Sequence, residues 1–102
     1  MSDRAQGSSA SVLDDLAAVI DQRREDLPDG SYTASLFTHE KGVNRVLEKI
    51  GEESTEVVLA AKDDDHEALV AESADLVYHL LVLLSMQGVS LDELRAELRE
   101  RR

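Results

Sequence analysis

Leu76-Val77-Tyr78-His79-Leu80-Leu81-Val82-Leu83-Leu84 decides the fold. It ends a helical stretch that runs from about His66 to Gln87, polar at its start and apolar nearly all round by its end. A helix without a polar face must be surrounded by other elements. A chain of 102 residues offers few other long helices to do this. The missing cover is therefore expected from a second copy, and we expect a homodimer. The longest apolar run, Leu76 to Met86, is interrupted by Tyr78, His79 and Ser85 and is too short to span a bilayer, so it reads as a core helix.

Working outward, Asp63-Asp64-Asp65 caps the start of that helix. Before it, Val43 to about Lys62 reads as another helix. Val46, Ile50, Val57 and Ala61 trace its apolar stripe, and Lys49, Glu52, Glu53 and Glu56 trace the next. Gly51 costs this helix up to about 1 kcal/mol relative to Ala, so tertiary packing must support it or a partner must approach closely there. Ser31-Tyr32-Thr33 reads as a hydroxyl-bearing loop of the kind that holds ligands, although Tyr32 could simply pack on the bundle. A short helical piece follows from Ala34 to His39.

Leu13, Leu16, Ala17 and Ile20 predict a first helix from about Val12 to Asp26, with Ser11 as N-cap and Asp14 and Asp15 in its first turn. Leu27-Pro28-Asp29-Gly30 ends it in a turn. Ser90-Leu91-Asp92-Glu93 is a capping box opening a final charged helix. The fold class is therefore all-α, a small bundle of four to five helices. Residues 1–11 are expected to be a disordered lead-in, and 12–102 a single domain.

Composition excludes several functions. With no cysteine, neither a disulfide framework nor a thiolate metal site nor a cysteine nucleophile can be built. A net charge of -11 argues against unaided binding to nucleic acid or to anionic membranes. With no secretory signal at the N-terminus, a cytoplasmic location is expected. The exposed acidic runs suggest adaptation to a high-salt cytoplasm, where screening removes self-repulsion; full folding and activity at low ionic strength would count against this.

Two acidic pairs carry the chemistry: Glu53-x-x-Glu56 and Glu72-x-x-Asp75. Residues three apart share a helix face, so each helix offers two carboxylates in one direction. Taken alone, each pair also fits a solvated helix face. Both pairs flank apolar stripes on consecutive helices, however, and facing one another they would form a cage of hard oxygen ligands suited to Mg²⁺. At 100° per residue, Asp75 and His79 lie within roughly 60° of Glu72. His79 is read as a satisfied core group rather than a ligand. No Glu-x-x-His pair is present, which disfavours a di-iron centre.

Ser31-Tyr32-Thr33, Lys49-Ile50-Gly51-Glu52-Glu53 with Glu56, and Glu72-x-Ala74-Asp75-Leu76-x-Tyr78-His79-Leu80 carry a resemblance. From about Leu13 to Leu98 the chain resembles the phosphoribosyl-ATP pyrophosphohydrolase family of histidine biosynthesis. That family lies within the MazG-like all-α nucleotide pyrophosphatase superfamily. The resemblance implies Mg²⁺-dependent hydrolysis of 1-(5-phospho-β-D-ribosyl)-ATP to phosphoribosyl-AMP and pyrophosphate. By the same resemblance, Glu53, Glu56, Glu72 and Asp75 would hold the metal, and Glu52 would position or deprotonate the attacking water. Lys49 would neutralise phosphate charge, and Tyr32 and Thr33 would contact substrate.

The stretch from Phe37 to Gly42 is one residue longer than the family's usual spacing, which leaves the substrate roles of Lys41 and Asn44 unassigned. The cyclohydrolase step, fused to this domain in some relatives, would fall to a separate protein. Two other readings remain open from the residues. One is a housekeeping MazG-like pyrophosphatase acting on free nucleoside triphosphates, and the other is a non-catalytic helical interaction module whose acids are solvated.

Overall fold

The computed structural model describes residues 9–102, which form five helices and, among the described residues, no strand. They are α1 (Ser9–Asp26), α2 (Tyr32–Thr38), α3 (Val43–Lys62), α4 (His66–Met86) and α5 (Leu91–Glu100). Most of the expected lead-in lies outside the described residues. Ser11 lies inside α1 rather than at its cap, and Asp14 and Asp15 are consequently not in the first turn. The helix begins upstream of the expected start, at Ser9.

The core is one cluster in which Ile20 of α1, Leu36 of α2, Val46 of α3 and Leu81 and Val82 of α4 meet, with Leu16, Phe37, Ile50 and Tyr78 packed against it. Leu16, Ala17 and Ile20 turn inward as expected, but Leu13 is 43% exposed. Helices α3 and α4 form a hairpin whose connection takes only Asp63, Asp64 and Asp65.

The backbone closes the α3 end of that connection. The Asp65 N–H donates to the Ala60 carbonyl at 3.0 Å and the Asp64 N–H to Ala61 at 3.2 Å, with Asp64 at φ +55°. That is a Schellman closure. The Asp65 carboxylate then accepts from the Ala68 N–H at 3.1 Å and caps α4. At the far end of α4, Gly88 at φ +72° makes the same closure, the Val89 N–H reaching Leu84 at 2.9 Å. A residue with a Cβ would be strained there. Ser90 and Glu93 form the expected capping box of α5.

The buried line on α3 differs from the expected stripe. Val46, Glu53 and Ala60 are buried, seven residues apart, whereas Ile50 and Val57 are half-buried and Ala61 is exposed. Two helices packed along their length keep such a seven-residue seam in contact. Glu53 therefore lies on the packing seam itself.

Much of α4 remains uncovered within one chain. Val70 is 60% exposed and Val77 40%, and Leu47, Val58 and Leu59 on α3 are exposed as well. The radius of gyration, 15.1 Å, exceeds the value of about 13 Å expected for a compact domain of this length. Ala68, Leu69, Val70 and Ala71 extend the apolar character upstream of Leu76. An 18-residue window of α4 thus reaches a mean hydropathy of 1.5, so by length and composition the helix could cross a membrane, contrary to the reading of Leu76 to Met86 alone. Buried His79, Leu81, Val82 and Ser85 tie the C-terminal half of the helix to the rest of the bundle.

Candidate active site

Ser31 organises the region expected to be a loop. Its backbone is extended and its hydroxyl accepts from the Ala34 N–H at 3.1 Å, which makes it the N-cap of α2. Tyr32 and Thr33 therefore stand in the first turn of a helix rather than in a loop. The sequence carried the signal, since Ser is a preferred cap, but the hydroxyl cluster reads equally as a turn.

The first turn of α2 faces α4 through paired aromatic contacts. The Tyr32 and Tyr78 rings stack at a centroid distance of 6.2 Å, and the Thr33 hydroxyl is hydrogen-bonded to the Tyr78 hydroxyl. Burial raises the pKa of Tyr78 above the ordinary phenol value; the Thr33 hydrogen bond opposes this, and Tyr32 adds to the rise. Tyr78 therefore stays protonated through the neutral range.

His79 sits at the centre, 4% exposed. Its Nδ1 lies 2.7 Å from Glu53 Oε1 and 3.0 Å from the Asp75 main-chain oxygen, and its Nε2 lies 2.9 Å from the Tyr32 hydroxyl. The expectation of a satisfied buried histidine agrees with this geometry, and the partners themselves are the new information. Glu53, 6% exposed, gains a hydrogen-bonded partner that a buried carboxylate requires. Its other oxygen, Oε2, lies 3.8 Å from the Lys49 ammonium, which is also 3.5 Å from Glu52 Oε1.

These side chains line an open pocket of about 470 Å³: Tyr32, Lys49, Glu53, Asp75, Tyr78 and His79. Of the residues singled out from the sequence, the structure brings Tyr32, Lys49, Glu53 and Asp75 to this pocket. Thr33 reaches it through Tyr78, and Glu52 reaches Lys49 from an exposed position. Glu56 is exposed, Glu72 is half-buried, and neither lines the pocket. Tyr78 and His79 were not among the site residues expected from the sequence. The signal for His79 was its place on the same face of α4 as Glu72 and Asp75. Lys41 is drawn instead to Glu48, with Nζ to Oε2 at 3.0 Å.

Among the described residues, no three His, Asp or Glu side chains converge as a ready-made metal-binding group. The four-carboxylate cage is thus not assembled within the chain, because Glu53 is turned into the seam toward His79. Glu53 and Asp75 nevertheless present hard oxygens from facing helices to one open pocket. That donor set fits Mg²⁺, which usually takes one or two carboxylates and completes its shell with water and phosphate oxygens. A second cavity between α1, α4 and α5 also holds acids, but there Asp21 accepts from Ser85 at 2.6 Å, and Asp14 and Asp92 pair with Arg95. Those acids serve packing.

Residues 13–102 match the family model described as phosphoribosyl-ATP pyrophosphohydrolase. The chain is 68% identical over 91 residues to the phosphoribosyl-ATP pyrophosphatase of Haloarcula marismortui, covering 89% of this chain and 93% of that protein. It is 71% identical to the protein of that name from Natronomonas pharaonis, covering 89% and 90%. With the Metallosphaera sedula protein of the same name it shares 54% identity, covering 88% and 95%. On these matches the chain belongs to the phosphoribosyl-ATP pyrophosphohydrolase family.

Proposed function

We propose that this chain is a phosphoribosyl-ATP diphosphatase, hydrolysing the α,β-phosphoanhydride of 1-(5-phospho-β-D-ribosyl)-ATP to phosphoribosyl-AMP and pyrophosphate, the second step of L-histidine biosynthesis. One observation carries the chemistry: Lys49, Glu53, Asp75 and Tyr32 line a single pocket. A carboxylate pair and a lone ammonium there can hold a cation and a polyphosphate together, in a protein whose net charge would otherwise repel the substrate.

Mg²⁺ would be held by Glu53 and Asp75, with Glu56 and Glu72 adding oxygens from the neighbouring turns of the same helices. When bound, Mg²⁺ neutralises triphosphate charge and makes a coordinated water more acidic. Lys49 supplies the positive charge that the chain itself holds at the phosphates. Glu52, within reach of Lys49, positions or deprotonates the attacking water. Tyr32 contacts the substrate, and Thr33 fixes the neighbouring Tyr78 ring. No covalent protein intermediate is needed, and no cysteine is available to form one.

The uncovered valines of α3 and α4 and the expanded radius of gyration support a homodimer that buries this face. The assembly is expected to act in the cytoplasm. The deciding experiment is pyrophosphate release from phosphoribosyl-ATP with and without Mg²⁺, run beside dUTP and dCTP. Cleavage of the free nucleotides but not of phosphoribosyl-ATP would sink the reading.

A further inference from the structure

Each hydrogen bond of His79 is to a residue that lines the pocket. We infer that His79 is a positioning residue that joins the metal side of the pocket to its substrate side, holding Glu53 as a one-oxygen ligand and fixing Tyr32 as a hydrogen-bond acceptor toward the substrate. The inference rests on the proposed pyrophosphohydrolase site.

Hydrogen-bond inventory supplies the argument. Glu53 Oε1 and the Asp75 carbonyl can only accept, and both face Nδ1, at 2.7 and 3.0 Å. The proton therefore sits on Nδ1. In the neutral ring Nε2 is then the acceptor, and the Tyr32 hydroxyl donates to it at 2.9 Å.

Each end has a consequence. At the first, Oε1 is committed to His79, so Oε2 is the oxygen left for a cation, on the side where Lys49 stands. At the second, the only proton of the Tyr32 hydroxyl is spent on Nε2, and its lone pairs remain for the pocket. Such a group reads a ligand donor, a ribose hydroxyl or a purine amino group, rather than a phosphate oxygen. Side chains that orient a ligating residue in this way typically change metal affinity or activity by about 10- to 100-fold when removed.

Two conservative variants separate the ends, because an Asn amide nitrogen falls near Nδ1 and donates as it does, while a Gln amide can place its oxygen near Nε2 to accept from Tyr32. His79→Gln should keep the Tyr32 contact and weaken Mg²⁺ binding, measured by calorimetry without substrate, by about 10- to 100-fold. His79→Asn should keep Mg²⁺ affinity and raise KM for phosphoribosyl-ATP by about fivefold, the usual net worth of one hydrogen bond. Tyr32→Phe should match that rise, and the double variant His79→Asn with Tyr32→Phe should add nothing to it. Equal loss of Mg²⁺ affinity in the Gln and Asn variants, or loss in neither, overturns the inference.

Imidazole ¹⁵N NMR of the intact wild-type protein decides the matter without any variant and covers the case in which these substitutions fail to fold. Nδ1 should be protonated and Nε2 bare, and either a bare Nδ1 or a protonated Nε2 overturns the inference. If the wild-type protein does not cleave phosphoribosyl-ATP, the functional reading fails, while the Mg²⁺ and NMR measurements still decide the role of His79.

Discussion

The α3–α4 hairpin departs from the usual distribution of polarity in two places. Toward α2 the hairpin buries a carboxylate and an imidazole, Glu53 and His79, each held by hydrogen bonds. Elsewhere on its surface it leaves Val58, Leu59, Val70 and Val77 exposed. Burying polar groups is costly unless every one of them is paired, and exposing large apolar side chains forfeits part of the main driving force of folding. A fold that does both on one hairpin fits the chemistry proposed for the first face and the second copy of the chain proposed for the other.

The sharpest way to break the polar face is Asp75→Asn, which removes charge at the pocket mouth and keeps the side-chain volume. Mg²⁺-dependent pyrophosphate release should fall by more than about 100-fold, as expected when several kcal/mol of metal-assisted stabilisation is lost. Helix content by circular dichroism should be unchanged. Turnover that survives the change would remove Asp75 from the site.

The apolar face is broken by Val70→Asp. Equilibrium sedimentation should find the wild-type protein dimeric and the variant shifted toward monomer, with about 1.5–3 kcal/mol lost for each valine no longer buried. A monomeric wild-type protein would leave the exposed face without the partner proposed for it.

Smaller effects test how the two faces are joined. Asp65→Ala removes the cap of α4 and should lower stability by about 1 kcal/mol, seen as a lower denaturation midpoint with unchanged slope. Asp64→Gly relieves a left-handed backbone at a residue with a Cβ and should raise stability by at most about 1 kcal/mol.

Spectrophotometric titration provides the finest test, because the chain has only two tyrosines. Burial raises the pKa of Tyr78, so one phenol should ionise above the ordinary tyrosine value, and Tyr78→Phe should remove it. The folded protein holds that proton more tightly than the unfolded chain does. The associated stability is therefore complete below the ordinary phenol pKa and is lost as pH rises through the raised value.

What the sequence revealed follows the range of the forces involved. The span Val43–Lys62, the start of α4 at His66 and the capping box at Ser90 all matched, because periodicity and caps act within a few residues. The cap at Ser31 was missed for an equally local reason, since one hydroxyl can serve a turn or a helix start. The seven-residue seam through Val46, Glu53 and Ala60 was not legible, because it depends on how α3 lies against α4. The pairing of Glu53 with His79, 26 residues away, belongs to the same class. Of the acids selected in advance, Glu53 and Asp75 line the pocket and Glu56 and Glu72 do not. Helical-wheel arithmetic places residues on a face but does not say which face a neighbour will take.

The three-residue connection between α3 and α4 constrains how this chain can vary in length. Surface loops usually absorb insertions and deletions, and alignments drift there first. Here Asp65 closes one helix and opens the next, so the connection has no residue to spare. One added residue that extended α4 would turn the rest of it by 100°. His79 would then face away from Glu53, in a protein whose helices were otherwise intact. Length changes at 63–65 should therefore be as damaging as substitutions in the pocket.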